Sequence, residues 1–433
     1  MTAAQLINVL YNIVDRLYIA RIPENATLAM TGLGLALPII SIVSAFANLF
    51  GMGGSPLSSI ERGRGNDEEA EKIMGNSFFM LLICGAILTT AGLLWKETLL
   101  FLFGASRETF PYADKYLTIY LCGSIFVMIG LGMNSFINAQ GFGKTGMMTV
   151  LLGAVMNLIL DPIFIFGFGM GVQGAALATV ISQFVSSIWI LLFLTGKKTI
   201  LHLRISNFRL KFERVKNIIS LGMSAFIMAV TNGIVQIVCN ATLQQYGGDL
   251  YVGIMTVINT IREVVSMPVS GITQSAQPVM GYNYGAKEYK RVWKAIKFTS
   301  FSCIGYTCVI WGILFLFPEF FISLFNQDAD LIEKGILCVH TYFFGFFMMS
   351  LQFSGQCTFV GLGRSRYAMF FSLLRKVVIV VPLTLLLPKV AGLGTQGVFL
   401  AEPISNFIGG TACFATMLHT VGRQMRKGTG MDT

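Results

Sequence analysis

Charged residues are scarce in this 433-residue sequence, at 12%, while hydrophobic residues make up 54%. Such a composition excludes an ordinary soluble domain, in which about 25% of the residues are charged. Apolar runs of about 20 residues recur along the chain, and each is long enough to cross a bilayer core of about 30 Å. We count twelve such runs, so the sequence predicts an all-α integral membrane protein.

Motifs of several enzyme classes are also missing. The eight cysteines form no CxxC pair, and neither HExxH nor a suitably placed GxSxG occurs, which argues against a membrane-embedded hydrolase. Gly141 to Thr145 resembles half of a phosphate-binding loop, but the first glycine of the full motif is replaced by Asn138. We therefore expect a protein that is not an enzyme and that has no cofactor.

The net charge of +10 comes mainly from Lys and Arg in the loops between spans. With both termini placed in the cytoplasm, the cytoplasmic loops and tail hold 21 of the 31 basic residues, and the outer loops hold 6. This asymmetry is the positive-inside pattern, which sets the orientation of membrane proteins. It indicates a multi-pass protein in a lipid bilayer rather than a partner of nucleic acid.

The first predicted span runs from about Met1 to Ala20, and the sixth begins at Gly174. The later six spans are predicted to begin near Val215, Tyr251, Val292, Ile332, Ala368 and Gly397.

The fifth span carries an amide and an acid within an apolar run. Asn157 and Asp161 are four residues apart, so they lie on one face of a helix, and Pro162 favours a bend beside the acid. An ionisable group at this depth costs several kcal/mol unless it is protonated, paired or bound to a cation. The alternative to a functional site is a structural polar contact between helices.

Further charges fall within the later spans. We expect Arg375 or Lys376 to pair with Glu402 on the adjacent helix, because an isolated charge there is costly. A structural role for this pair is favoured over a substrate or cation site. Arg262 and Glu263 are adjacent and point apart on a helix, so each needs a different partner.

An internal repeat divides the chain into two halves. The segment from Gly171 to Phe184 recurs from Gly394 to Phe407, with eight of fourteen positions identical at an offset of 223. An offset of six spans keeps both halves in the same orientation, as in transporters with parallel repeats. The predicted parts are a first six-helix lobe, a basic connector, a second six-helix lobe and a cytoplasmic tail: 1–195, 196–214, 215–422 and 423–433.

Four motifs carry a family resemblance. They are Tyr11 to Arg16, Gly53 to Gly65, Asn157 to Pro162 and Gln277 to Lys287. With these motifs the chain resembles the multidrug and toxic compound extrusion (MATE) transporters over essentially its whole length. It is similar to their bacterial branch of damage-inducible and staphylococcal multidrug exporters.

The resemblance implies two six-helix lobes of the MATE/MOP type in a bacterial plasma membrane. It implies a monomer that exports small amphipathic organic cations in exchange for H⁺ or Na⁺. The implied cation site of the first lobe comprises Asp15, Asn157, Asp161 and Thr179, with Asn134 as a weaker candidate. These four residues would be metal ligands only if the coupling ion is Na⁺.

Cation coupling is predicted for the first lobe alone. At the offset of 220 that the GxG turns set, Asn157 aligns with Val377 and Asp161 with Val381, so both polar groups are lost.

Family members have about two more helical turns before the polar motif of the first span, so we expect Met1 not to be the native start. The alternative function is a lipid-linked oligosaccharide flippase of the same superfamily.

Overall fold

The computed structural model of the chain describes Tyr18 and residues 26–325, 328–390 and 392–428. All of the regular elements in these residues are helices, with no strand among them, which agrees with the composition.

Six helices precede the connector. They are α1 (Ala26–Gly63), α2 (Asp67–Leu102), α3 (Phe110–Cys122), α4 (Ser124–Ala139), α5 (Gly143–Pro162) and α6 (Val172–Thr195). A π-helical segment, Ile163–Gly167, continues α5 beyond its proline, and a 3-10 turn, Ile205–Phe208, lies in the connector.

The later helices follow the connector in order. They are α7 (Phe212–Gly285), α8 (Tyr289–Leu316), α9 (Pro318–Ser323), α10 (Ala329–Phe343), α11 (Phe346–Gly361), α12 (Ser365–Leu373), α13 (Val381–Leu386), α14 (Gly394–Ser405), α15 (Thr411–Met417) and α16 (Arg423–Gly428). The π-helical segment Leu374–Val380 joins α12 to α13, and Asn406–Gly410 joins α14 to α15. A third π-helical segment, Leu418–Gly422, joins α15 to α16, and a 3-10 turn, Leu387–Lys389, follows α13.

Within the residues that the structure describes, the number of membrane spans agrees with the sequence. Eight helical stretches are long and apolar enough to cross a bilayer, and two bent pairs raise this number to ten. The bent pairs are α3 with α4, at 55°, and α10 with α11, at 42°. Helix α7 breaks at Gly248, where φ is 69°, so its 74 residues hold two spans. Eleven of the twelve predicted spans are therefore present in the described residues, and the first lies outside them apart from Tyr18.

The predicted starts of the later spans lie consistently inside the observed helices. Helices α8, α10, α12 and α14 begin three residues before the predicted starts, and so does α7. The prediction followed the apolar runs, whereas a helix can begin with a polar turn that precedes its apolar part.

The described chain forms two compact units. Residues up to Phe226 belong to the first unit, and residues from Ile227 onward belong to the second. The first turns of α7 lie with the first unit, because Ile218 belongs to its buried core. The lobe and connector limits drawn from the repeat stay a prediction.

The connector is attached to α2 by polar contacts. The amide of Asn76 donates to the carbonyl oxygens of Asn207 and Arg209, each at 3.0 Å. The guanidinium of Arg214 forms two hydrogen bonds with Glu69, at 2.7 and 2.8 Å. The connector is therefore an ordered part of the first unit rather than a free linker.

Many apolar side chains point away from both cores. Phe298 and Phe301 are each 72% exposed and Leu192 is 66% exposed, all on helices that are long enough to span a bilayer. Extensive exposed apolar surface is typical of a protein that lies in lipid. The distribution of side chains thus agrees with the span prediction.

Glycine allows α1 and α7 to cross closely within the first unit. A Cβ atom on Gly222 would lie 2.7 Å from the carbonyl carbon of Leu49, and one on Gly53 would lie 2.9 Å from the amide nitrogen of Gly222. Both contacts are with backbone, which cannot move aside as a flexible side chain can. This crossing is the close approach of helices that small residues in membrane proteins permit.

We expect Gly222→Ala to destabilise the protein by about 1–3 kcal/mol, because the added methyl group overpacks a backbone contact. Gly233→Ala is the matched control, since Gly233 lies on the same helix and its added Cβ has nothing within 4 Å. The measurement is the melting temperature of each purified variant in detergent. Equal melting temperatures for the two variants would show that this crossing tolerates a side chain.

Candidate functional site

The polar pair of the fifth span is deeply buried in the first unit. Asn157 is 2% exposed and Asp161 is fully buried, one turn apart on α5. The amide Nδ2 of Asn157 donates to Oδ1 of Asp161 at 3.2 Å. The spacing of four residues thus places both groups on one face of the helix, as the sequence predicts.

Helix α6 adds a hydroxyl group to this pair. Thr179 is buried, and Nδ2 of Asn157 lies 3.4 Å from its Oγ1. Asn157 therefore links the carboxylate on α5 to the hydroxyl on α6. Asp15, the fourth residue of the predicted site, lies outside the described residues.

Two glycines bring α5 and α6 together around this cluster. A Cβ atom on Gly153 would lie 2.6 Å from Oγ of Ser186, and one on Gly174 would lie 2.7 Å from the carbonyl carbon of Phe164. Pro162 cannot donate a backbone hydrogen bond, and the π-helical segment begins at the next residue. The acid thus lies at the point where the α-helix ends and the wider π-helix begins.

Asn134 does not join this cluster by a hydrogen bond. Its Nδ2 donates to the carbonyl oxygen of Gly146 at 3.3 Å, near the start of α5 and three turns before Asn157. Its side chain connects α4 to α5, so the structure gives it a contact between helices. Its predicted part in coupling stays a prediction.

The cluster has the chemistry of a site for a proton or a hard cation. A carboxylate, an amide and a hydroxyl supply oxygens, which are the ligands that hard cations prefer. In this arrangement the nitrogen of the Asn157 amide faces both neighbours. A sodium ion held by all three groups would need the amide to rotate so that its oxygen faces the ion. Within the part described, no group of three His, Cys, Asp or Glu residues could hold a metal ion.

The second unit holds a cluster of four charged groups. Nη2 of Arg375 lies 2.5 Å from Oε1 of Glu402, and Nζ of Lys376 lies 3.1 Å from the same oxygen. The pairing predicted from the sequence is therefore present, and Glu402 contacts both candidate cations. All three residues are 5% exposed. The structural role expected for these residues stays a prediction.

Arg262 is the fourth member of this cluster, and the sequence did not identify its partner. Its Nη1 lies 3.8 Å from Oε1 of Glu402, so the acid attracts cations from two separate parts of the chain. Glu263, the next residue, is exposed and forms no ion pair with any described residue. The two neighbours therefore point apart, as their adjacency predicts.

A cleft in the second unit opens beside this cluster, and our sequence reasoning missed it. It encloses about 370 Å³ of empty space including its mouth. Its polar lining comprises Asn232, Gln236, Asn259, Arg262, Tyr342, Lys376 and Glu402. The spacing of Asn232 with Gln236 and of Asn259 with Arg262 was the available signal, because residues three or four apart share a helix face.

Comparisons with known proteins agree with this architecture. A model of the MatE family matches residues 1–163 and 224–386, and the two matched stretches begin 223 residues apart, as the repeat does. The multidrug export protein MepA of Staphylococcus saprophyticus is 26% identical over 380 residues, which cover 88% of this chain and 83% of the relative.

Two solved structures show the same fold. An outward-facing multidrug resistance MATE family transporter of the MOP superfamily has a TM-score of 0.91 at 23% identity, covering 99% of this chain and 94% of that one. A MOP superfamily transporter from Pyrococcus furiosus also has a TM-score of 0.91 at 23% identity, covering 98% and 94%. Its binding pocket is described as having reversed polarity that suggests a different function. These likenesses confirm the predicted fold class of twelve helices in two lobes.

We expect Glu402→Gln to lower stability by about 3–5 kcal/mol, because it leaves buried cations without their acid. Glu263→Gln is the matched control, since it removes an exposed acid from the same unit that has no described ion pair. Thermal melting of the purified variants measures the difference. A melting temperature of Glu402→Gln equal to that of the control would contradict a stabilising role for the cluster.

Proposed function

This chain belongs to the MatE family, and from that premise we propose that it is a secondary active transporter that exports multiple drugs. It is a multi-pass membrane transporter and not an enzyme. The substrates we propose are small amphipathic organic cations, exchanged for H⁺ or Na⁺ without a further cofactor. The name of its staphylococcal relative as a multidrug export protein supports the efflux part of this proposal.

The buried cluster of Asp161, Asn157 and Thr179 is the observation that carries the coupling proposal. An ionisable acid deep in a membrane span is costly and is therefore typical of a proton or ion pathway. The ionised carboxylate accepts a hydrogen bond from Asn157, whereas a protonated carboxyl can donate one. A change of charge on Asp161 would thus alter the link between α5 and α6.

The position of the acid connects this local change to the shape of the helix. Asp161 precedes Pro162, and the chain changes there from α-helical to π-helical turns. A change in hydrogen bonding at this junction would favour one of two helix geometries, which is how a local charge event drives a two-state element. Asp15 is proposed as the second acid, so that like-charge repulsion would favour a shared proton or a bound cation.

A lipid-linked oligosaccharide flippase is the second candidate. The observation that favours it is the excess of cations in the second unit, where Arg262, Arg375 and Lys376 surround a single acid. Such a site suits the pyrophosphate of a lipid-linked sugar. The acid of the first unit favours drug export instead, and efflux of an organic cation distinguishes the two candidates.

The proposed location is a bacterial plasma membrane with both termini in the cytoplasm. The excess of Lys and Arg in the loops assigned to the cytoplasm supports this orientation, with 21 residues against 6. A monomer is proposed as the functional unit.

We expect Asp161→Asn to abolish drug efflux while the protein stays in the membrane, because the amide can neither release a proton nor neutralise a cation. Asp15→Asn should have nearly the same effect. Val381→Ala, at the repeat counterpart of Asp161, is the matched control and should be nearly silent. The measurement is efflux of a fluorescent organic cation from cells that express each variant at matched levels. Near-wild-type efflux by Asp161→Asn would refute the first-lobe site.

Imposing the two ion gradients separately identifies the coupling ion. We expect purified protein in proteoliposomes to transport the same cation with only one of the two gradients, proton or sodium, and not when both are dissipated. Asp161→Asn should remove the gradient-driven part completely. Equal transport with and without the gradients would contradict antiport.

A further inference from the structure

The charges around Glu402 do not balance. Three cations, Arg262, Arg375 and Lys376, lie within 4 Å of this one carboxylate. No second acid in the described part of the chain forms an ion pair with any of the three. Excess charge among apolar walls is costly unless a counter-charge is supplied. The cluster therefore electrostatically favours a further negative group.

The cleft opens onto Arg262, which has the longest contact with Glu402 of the three cations. The Arg262 side chain is 28% exposed, compared with 6% for Lys376 and for Glu402. Its guanidinium is 3.8 Å from Glu402, which is longer than a hydrogen bond, and no hydrogen bond to another described residue satisfies it. The N–H groups of Arg262 are thus available at the cleft.

Neutral donors surround the same opening. The amides of Asn232, Gln236 and Asn259 line the cleft with the hydroxyl of Tyr342, and none of them has a hydrogen bond within the described chain. The remaining wall is apolar and comprises Val235, Cys239, Met255, Val380, Val398 and Ala401.

We propose that this cleft binds the oxyanion of an amphipathic molecule, a carboxylate or phosphate, with Arg262 and Lys376 as its charged ligands. The amides add hydrogen bonds to the oxyanion, and the apolar wall accepts the adjoining hydrocarbon. The site goes beyond the cation-coupled export proposed above, because it lies wholly within the second unit and shares no residue with the cluster of Asp161. It provides a place for the acidic group of a zwitterionic or anionic amphipath.

Binding to purified protein tests this site without any ion gradient. The probe is 11-(dansylamino)undecanoate, with its methyl ester as an uncharged isostere, added to protein in phosphatidylcholine nanodiscs and followed by dansyl fluorescence. We expect the carboxylate to bind about tenfold more tightly than the ester, because a hydrogen bond to a charged group is stronger than one to a neutral group. Equal affinities of the acid and the ester would overturn the proposal.

Variants then locate the binding. Arg262→Gln should remove the preference for the carboxylate and leave ester binding unchanged, whereas Arg366→Gln, on the exposed start of α12, is the matched control and should retain the preference. If Arg262→Gln does not fold, Asn259→Leu removes a neutral donor of the same cleft and should reduce the preference severalfold. A preference that survives both changes would place the anion elsewhere and refute the site.

The Glu402→Gln variant allows a rescue experiment. In Glu402→Gln the three cations lose their internal partner, so the carboxylate probe should raise the melting temperature of this variant more than that of the wild type. The ester should not raise the melting temperature of the variant more than that of the wild type. No difference between probe and ester would indicate that the excess charge is relieved by loss of a proton from Lys376, and would overturn the proposal.

Two sources of the oxyanion can be separated. Nanodiscs with phosphatidylglycerol present an anionic headgroup from the bilayer, and dodecyl phosphate presents one on a soluble amphipath. Competition by phosphatidylglycerol assigns the site to a lipid, and competition by dodecyl phosphate alone assigns it to a dissolved ligand. Failure of both to compete would refute the binding of phosphate at this site. Cation efflux and its loss in Asp161→Asn do not depend on any of these results.

Discussion

A polar side chain in a bilayer core finds no water, so its partner must come from the protein or from a ligand. This constraint accounts for both polar clusters of the chain. Asn157 links Asp161 on α5 to Thr179 on α6, and Glu402 gathers cations from α7 and from the π-helical segment after α12. Glycines at the crossing of α5 and α6 contribute to the first cluster, because hydrogen bonds between helices require the helices to lie close together.

The two halves apply this constraint in different ways. In the first unit the described partner of Asp161 is the neutral amide of Asn157, and we propose that this acid exchanges a proton or a cation. The second unit surrounds its acid with cations, so that Glu402 is held by charge rather than by neutral donors. Thr179 and Glu402 occupy the same position of the repeat. This position therefore holds a neutral hydroxyl in the first unit and the central acid of an ion cluster in the second. Duplication thus preserved the spans while their polar contents diverged.

Sequence reasoning succeeded where a short spacing determines the geometry. The four-residue spacing of Asn157 and Asp161 and the proximity of Arg375 to Glu402 both follow from helix periodicity and the cost of isolated charge. The partner of Arg262 and the cleft beside it could not be found in this way. They depend on how α7 packs against helices more than 100 residues later, and a single sequence does not show which residues of these helices meet. The π-helical segments were also missed, because no residue pattern in the apolar runs marks them.

The π-helical segments have a consequence for how the two halves should be compared. A π-helical turn holds one residue more than an α-helical turn, so it rotates the residues that follow it about the helix axis. Pro162 and Pro382 keep the offset of 220, but the π-helical segment follows the proline in the first half, at Ile163–Gly167, and precedes it in the second half, at Leu374–Val380. Residues that match in the sequence beside these two prolines therefore need not share a helix face.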